Sequence, residues 1–288
     1  MTIPDNVKAD ILVQALPWIR RYAGKTVVVK YGGAAMVNEG VRTAVAQDLV
    51  LMSCVGIRTV LVHGGGPEID AMLRRLGKEP EFVGGLRYTD EETMEIVQMV
   101  LAGKVNKDLV ALVQRQGGRA IGICGADGGL FTAKRLSKGG TDLGLVGELS
   151  KVSISLVEAI LGAGFVPVVA TVAMGETGDA HFYNVNADTA AAELAAALGA
   201  EKLVLLTDVP GILRDVADIE TLISELPRNE VGALIAKGVV SKGMIPKVEC
   251  CARAIDGGVK RAHIVDGREP HALLLEVFSD SGVGTMIS

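Results

Sequence analysis

The sequence predicts an α/β protein: an open αβα sandwich with a mostly parallel central sheet and helices on both faces, arranged as two lobes around a cleft. Three observations predict this. Short apolar runs of strand length alternate with segments of helical period along the chain. Apolar residues make up 49% and aromatics only 3%, so the core is built of Val, Leu, Ile and Ala, as in sheets buried on both faces. The 36 glycines collect at the ends of apolar runs and form no low-complexity tract, which marks tight loops of a folded chain. At 288 residues there is ample material for a core.

In chain order, DNVKADILVQALPWIRRY places Val7, Ile11, Leu12, Ala15, Leu16 and Ile19 on one helical stripe, and Pro17 predicts a kink within it. TVVVKYGG is a strand that ends on Lys30 and two glycines, followed by a helix over 41–55. RTVLVHGGG is a second strand, and the next helix begins at Pro67, where a missing N–H costs nothing. GLRYTDEETMEIV puts Arg87 in a loop before a helix that starts at Thr89 or Asp90, with Glu91 and Glu92 in its first turn. RAIGICG and FVPVVA are further strands, and an alanine-rich helix covers 187–198. KLVLLTDVPG opens a second strand set after Gly199, and RAHIVDG closes it. The expected division is an N-terminal helix over 1–24, a lobe over 25–198 and a second lobe over 199–288.

The formal charge is -5, from 29 basic and 34 acidic residues without runs of like sign, which argues against nucleic acid or an anionic membrane as a partner. No stretch approaches the roughly 20 apolar residues of a membrane span, and the opening MTIPDNVKAD is too polar for a signal peptide, so a cytoplasmic protein is expected. Cys54, Cys124, Cys250 and Cys251 lack CxxC spacing and read as reduced core thiols.

In sheets of this kind ligands gather at the carboxyl ends of the strands. Lys30 with Gly32 and Gly33, His63 with Gly64, Gly65 and Gly66, and Thr207 with Asp208 all fall there. The glycine triplet before a helix start makes an anion site of backbone amides, although tight strand-to-helix turns are also common. The lysine precedes its glycines, unlike a P-loop, and no GxxxxGK[ST] segment exists. His63 reads as a packing histidine, because no second histidine stands at ligand spacing. Arg87 is either a solvated charge or a bidentate grip on a carboxylate. Asn184, Asn186 and Asp188 in NVNAD exceed what one helix cap requires. Lys247, just after Pro246, is a cation at a positive helix end, which suits an arriving anion.

These segments together, VVVKYGG, VLVHGGGP, GLRYTD, NVNADTAA, LLTDVPGIL and GMIPKVE in order, resemble the amino acid kinase family from Thr26 onward; GLRYT, NVNAD and GMIPK are similar to its N-acetylglutamate branch. The resemblance implies an amino acid kinase-like fold and transfer of a phosphoryl group from ATP, with Mg²⁺, to the side-chain carboxylate of N-acetyl-L-glutamate. It implies Lys30 and Lys247 as the lysines that neutralise the moving phosphoryl group, and Asp188 as their organiser. Gly65, Gly66, Arg87 and Asn184 would hold the substrate. Gly32, Gly33, Thr207, Asp208 and Gly211 would meet the nucleotide. A carboxylate is already anionic at neutral pH, so the reaction needs no general base, and no protein metal ligand is expected. The N-terminal helix and the C-terminal HALLLEVFSDSGVGTMI are similar to those of arginine-inhibited hexameric members, built as trimers of dimers; this implies L-arginine as inhibitor, with Glu276, Gly282 and Gly284 as its contacts. Some members bind the PII protein. Lys242 departs from the family's usual glycine and is expected to add an exposed charge. The competing expectations are a kinase of aspartate or glutamate, and a non-catalytic sensor of arginine or acetylglutamate.

Overall fold

The computed structural model describes residues 4–36, 38–137, 140–240, 243–279 and 282–288. Lys242 lies outside them. The first helix, α1 (Asp5–Tyr22), runs through Pro17 and leads into β1 (Thr26–Tyr31), whose six residues are all buried. Then come α2 (Glu39–Cys54), β2 (Arg58–His63) and α3 (Gly66–Arg75), with proline in the first turn of α3 as expected. A two-strand ribbon, β3 (Phe82–Val83) and β4 (Leu86–Arg87), precedes α4 (Glu91–Gln98), capped by Asp90, which accepts from Thr93 N at 2.8 Å. A π-helical segment, Met99–Val105, joins α4 to α5 (Asn106–Arg115) without a break.

The chain continues through β5 (Ala120–Cys124), β6 (Phe131–Arg135), β7 (Val146–Val152), α6 (Ser155–Gly162), β8 (Val166–Ala170), β9 (Val172–Gly175), β10 (Phe182–Val185) and α7 (Ala187–Ala197). The remainder holds β11 (Lys202–Thr207), β12 (Glu225–Leu226), α8 (Val231–Ala236), α9 (Ile245–Asp256), β13 (Arg261–Asp266), α10 (Ala272–Phe278) and β14 (Thr285–Ile287).

Eight strands form one sheet in the order β12-β14-β13-β11-β1-β2-β8-β5, parallel except where β14 runs against β13. β1 sits between β2 and β11, so the sheet passes unbroken from the first half of the chain to the second. Its centre is the Val, Leu and Ala core anticipated from composition: Val27, Val28, Val29, Val60, Leu203 and Val204 are buried. α7 packs its alanines on this sheet and on α9. Alanine permits that close approach, and a Cβ on Gly257 would come within 2.6 Å of Ala196 Cβ.

Three expectations change. The strands β6, β7, β9 and β10, which close into a separate four-stranded barrel, were not separated in the sequence, because segments such as VGELSKV are short, polar and weakly periodic. Arg87 belongs to a short strand and is buried, at 8% exposure, rather than standing in a loop. Cys54 is exposed at the end of α2, while Cys250 and Cys251 are buried and Cys124 half-buried; all four are free thiols. Among the described residues no helix is long and apolar enough to cross a membrane.

Candidate active site

The parallel pairing of β1 with β2 and β11 brings three loaded strand ends side by side. Tyr31 stands opposite His63, and Lys30 opposite Leu205, two residues before Thr207. Lys30 is buried at its strand end, and its Nζ makes an ion pair with Asp188 Oδ1 at 2.9 Å. The other carboxylate oxygen, Oδ2, accepts from Lys247 Nζ at 2.8 Å. One aspartate therefore bridges two lysines that come from opposite halves of the chain.

Local structure explains why Asp188 is available. Asn186 is the α7 cap, accepting from the amides of Asp188 and Thr189, each at 3.0 Å. With the cap supplied by its neighbour, the Asp188 side chain is left to face the lysines. Burial alone would push its carboxyl up; the fields of Lys30 and Lys247 outweigh burial and hold the group far below the usual carboxylate range. Lys247 lies in the first turn of α9, next to Pro246. Its burial favours the neutral amine, but Asp188, with help from Asp208, raises its pKa above the ordinary lysine value.

Two cavities meet at this triad. The first is lined by Lys30, Gly64, Gly65, Gly66, Arg87 and Asn184 among others. Arg87 is aimed by Asp70, which accepts from its Nη1 at 2.5 Å, by the Gly66 carbonyl at 3.3 Å from Nη2, and by the ring of Phe82 beneath the guanidinium. Asn184 donates to Thr89 Oγ1 at 3.2 Å. The second cavity is lined by Lys30, Gly32, Gly33, Thr207, Asp208 and Lys247. A largely apolar slot bordered by Asp208, Gly211, Val240 and Met244 opens beside it. A Cβ on Gly32 would press to 3.3 Å from Lys30 Nζ, and Gly33 has φ +69°, so both glycines shape the wall that carries the lysine.

The arrangement is a cationic, amide-lined passage between a pocket with a carboxylate grip and a pocket with an apolar slot. The family model described as the amino acid kinase family matches residues 25–266. The chain belongs to the amino acid kinase family. Among curated members of that kinase family, an acetylglutamate kinase of Heliobacterium modesticaldum is 58% identical over 289 residues, covering 97% of each chain. Among solved structures, the N-acetylglutamate synthase of Neisseria gonorrhoeae complexed with coenzyme A and N-acetylglutamate matches with TM-score 0.85 and 29% identity. The same synthase complexed with coenzyme A and L-arginine gives 0.80 and 27%. Both matches cover 97% of this chain, which spans only 63% and 65% of the synthase chains.

Of the residues anticipated for the kinase site, Lys30, Asp188 and Lys247 are joined directly, and Gly65, Gly66, Arg87 and Asn184 share one cavity. Thr207 faces the second cavity, but its hydroxyl is spent on the turn, donating to Val209 O at 2.9 Å. Gly211 allows close packing: a Cβ there would fall 2.6 Å from Thr285 Oγ1. The sequence reading missed Asp70, the partner that aims Arg87. Its place one helical turn beyond Gly66 and Pro67 was the available signal.

Glu276, Gly282 and Gly284 lie apart from this site, in a cavity shared with Trp18, Arg21 and Tyr22 of α1 and with Lys202 of β11. Glu276 is buried, with Oε1 2.5 Å from His263 Nδ1 and Oε2 accepting from the amides of Val283 at 2.9 Å and Gly284 at 3.2 Å. The Gly284 amide is thus already engaged by the protein, and a Cβ on Gly284 would meet Ile264 O at 2.1 Å.

Proposed function

We propose that this chain phosphorylates the side-chain carboxylate of N-acetyl-L-glutamate with ATP, as the acetylglutamate kinases to which it is similar do by name. The observation that carries the reading is Asp188 held between Lys30 and Lys247 where the two cavities meet. The reaction must bring an anionic carboxylate onto an anionic phosphate. Two lysines pre-set by a shared aspartate supply fixed positive charge, and this is the part of phosphoryl transfer that a protein can best provide.

Arg87 and Asn184 would grip the acetylglutamate carboxylate and amide, and the Gly65 and Gly66 amides would receive phosphoryl oxygens. The nucleotide would occupy the second cavity, its phosphates over Gly32 and Gly33 and its base in the slot beyond Asp208 and Gly211. Mg²⁺ would arrive with the nucleotide: Asp208 lines the second cavity and, being bound to neither lysine, would hold the ion there. Bound there, the ion would supply further charge neutralisation at the phosphates. On this reading 25–198 holds the acceptor and 199–288 the nucleotide.

The finer proposal is feedback by L-arginine at the Glu276 cavity. Its mixed lining, which includes Glu276 and His263 as well as Arg21, Lys202 and Arg261, suits a zwitterion carrying an extra cation. A similar synthase solved in complex with L-arginine makes arginine the effector to test.

Hydroxylamine trapping tests both parts. Incubation with ATP, Mg²⁺ and N-acetyl-L-glutamate should give a hydroxamate, whereas aspartate and glutamate should not, and added L-arginine should suppress the signal. Hydroxamate from aspartate or glutamate would move the acceptor specificity. ATP binding without turnover of any acceptor would overturn the kinase reading in favour of a sensor.

A further inference from the structure

We propose that His63 and Asn106 are positioning residues that fix the Gly64–Gly65 peptide plane with its N–H turned toward the acceptor cavity, and that the π-helical segment Met99–Val105 sets this pair in place. The proposal deepens the reading above, because it rests on Gly65 as a phosphoryl-holding amide.

His63 ends β2 with no exposed surface. Its Nδ1 is 2.8 Å from Gly64 O, and its Nε2 is 3.1 Å from Asn106 Nδ2. An amide nitrogen only donates, so Nε2 is the acceptor and Nδ1 carries the proton. The orientation of Asn106 is itself fixed. The same nitrogen also faces Ile123 O at 3.1 Å and Val168 O at 2.9 Å, while Oδ1 accepts from Lys107 Nζ at 3.0 Å. A flipped amide would set oxygen against two carbonyls. Burial pushes the His63 pKa down to about 4, which keeps the ring in the neutral form this relay requires.

In a trans peptide the C=O and the following N–H point to opposite sides, and no cis peptide occurs among the described residues. Holding the Gly64 carbonyl inward on His63 therefore turns the Gly65 N–H outward, toward the cavity that Gly64, Gly65, Gly66 and Lys30 line. No acceptor among the described residues takes that N–H. The π segment closes on the same glycine. A Cβ on Gly65 would lie 2.7 Å from Leu101 Cδ2 and 3.2 Å from Val105 Cγ2.

Isolated π turns concentrate at functional sites, and replacing this one by an α turn would rotate Asn106 by up to about 100° around the helix axis. Gly122 in β5 completes the arrangement, since a Cβ there would fall 1.9 Å from Asn106 Oδ1. Were the Gly64–Gly65 plane to flip, a carbonyl oxygen would face the incoming phosphate where a donor is needed.

Two substitutions separate positioning from mere satisfaction of a buried polar group. In His63→Asn the carboxamide nitrogen takes the place of Nδ1, keeping a donor for Gly64 and abandoning Asn106. In His63→Gln the carboxamide reaches the place of Nε2, keeping Asn106 and leaving the Gly64 carbonyl without its donor. Both should fall below wild type, and His63→Gln should have a kcat lower than His63→Asn by about tenfold to a hundredfold, with KM for N-acetyl-L-glutamate within about threefold in both.

Equal kcat in the two variants would overturn the proposal while wild-type turnover left the kinase reading standing. Absence of wild-type turnover would sink that reading itself. If either variant does not fold, ¹⁵N spectra of the wild-type protein decide. His63 should stay neutral and Nδ1-protonated from about pH 5.5 to 8. The Gly65 amide proton should move downfield when ADP, Mg²⁺, aluminium fluoride and N-acetyl-L-glutamate are added together. An Nε2-protonated ring, or an unmoved Gly65 resonance, would overturn it.

Discussion

At the scale of single residues, the site is governed by one carboxylate. Asp188 bridges two lysines that would otherwise repel each other within a partly buried cleft, leaving one net positive charge, and each Nζ lies within 2.9 Å of its own oxygen. Its depressed pKa has a definite consequence for stability. The contribution is fully present above the ordinary carboxylate pKa and is lost only as pH falls below that value toward the lower folded one. Asp188→Asn leaves both cations without a counter-charge. It should cost about 3–5 kcal/mol of stability, the scale for breaking a buried pair, and lower kcat by about a hundredfold or more. Because the phosphates of ATP supply the missing negative charge, the variant's melting temperature should rise more on adding ATP than the wild type's does. Thermal melts of both proteins with and without ATP check this; an equal rise would mean the lysines do not await an anion. Arg87→Lys probes the neighbouring pocket. A lysine cannot keep both Asp70 and the planar stack on Phe82, so KM for the acceptor should rise about tenfold or more while the fold persists. Steady-state kinetics across acceptor concentrations read that change directly.

At the scale of elements, the central strands β1, β2, β5, β8, β11 and β13 were legible because each is a short apolar run ended by glycine or a polar group. The start of α3 at its proline was equally plain. The positions of Lys30 and of the glycines that follow β1 and β2 came from those same strand ends, and that of Lys247 from the helix start at Pro246. The unread parts share a physical cause. The barrel strands carry mixed polar residues without clean alternation, and a π segment has no composition of its own. The pair His63 and Asn106 is 43 residues apart in sequence, with its contact visible only in three dimensions. Gly122, in the middle of the apolar run RAIGICG, was the one local hint, since a glycine inside a strand marks a close approach. The buried imidazole also predicts a pH effect on the whole β2 end. Its folded pKa lies near 4 against an ordinary 6.5, so between those values the unfolded chain takes up a proton that the folded one refuses. Stability from this group is complete above pH 6.5 and falls by about 3 kcal/mol on acidification to pH 4. Asp48 of α2 runs the other way in the same window: burial raises its pKa to about 6, despite the hydrogen bond from His271, so its charged form weakens the fold as pH rises. The two partly cancel in the wild type. Urea unfolding of wild type and His63→Asn at pH 7 and pH 4 isolates the histidine. The stability difference between them should shrink by about 3 kcal/mol at the lower pH, and a gap independent of pH would show that the ring is not held neutral.

At the scale of the whole molecule, the unbroken sheet places the cavity lined by Arg87 and the cavity lined by Asp208 on either side of β1, and the Glu276 cavity at the first residues of β11 and β13. α1 connects this frame to whatever lies outside it. Trp18 and Tyr22 stack at its C-terminal end, with Tyr22 buried and facing Lys202, whereas Val7, Ile11, Leu12, Val13 and Leu16 remain exposed, Leu12 by 70%. So many exposed apolar side chains along one helix mark an interface. The hexamer that the family resemblance implies, in which such helices would pair between dimers, would cover it. Removing residues 1–16 deletes the exposed stripe but spares Trp18, Arg21 and Tyr22, and with them the lining of the Glu276 cavity. The expected outcome is a particle of dimer mass by light scattering, with kcat unchanged because every residue of the proposed active site lies beyond position 29. If arginine acts through the lattice of helices, the truncated protein should bind arginine yet lose inhibition by it. If it acts within the protomer, inhibition should survive the loss of the hexamer. A truncated protein that kept the full-length mass would show that the stripe on α1 is covered by something other than a second copy of this helix.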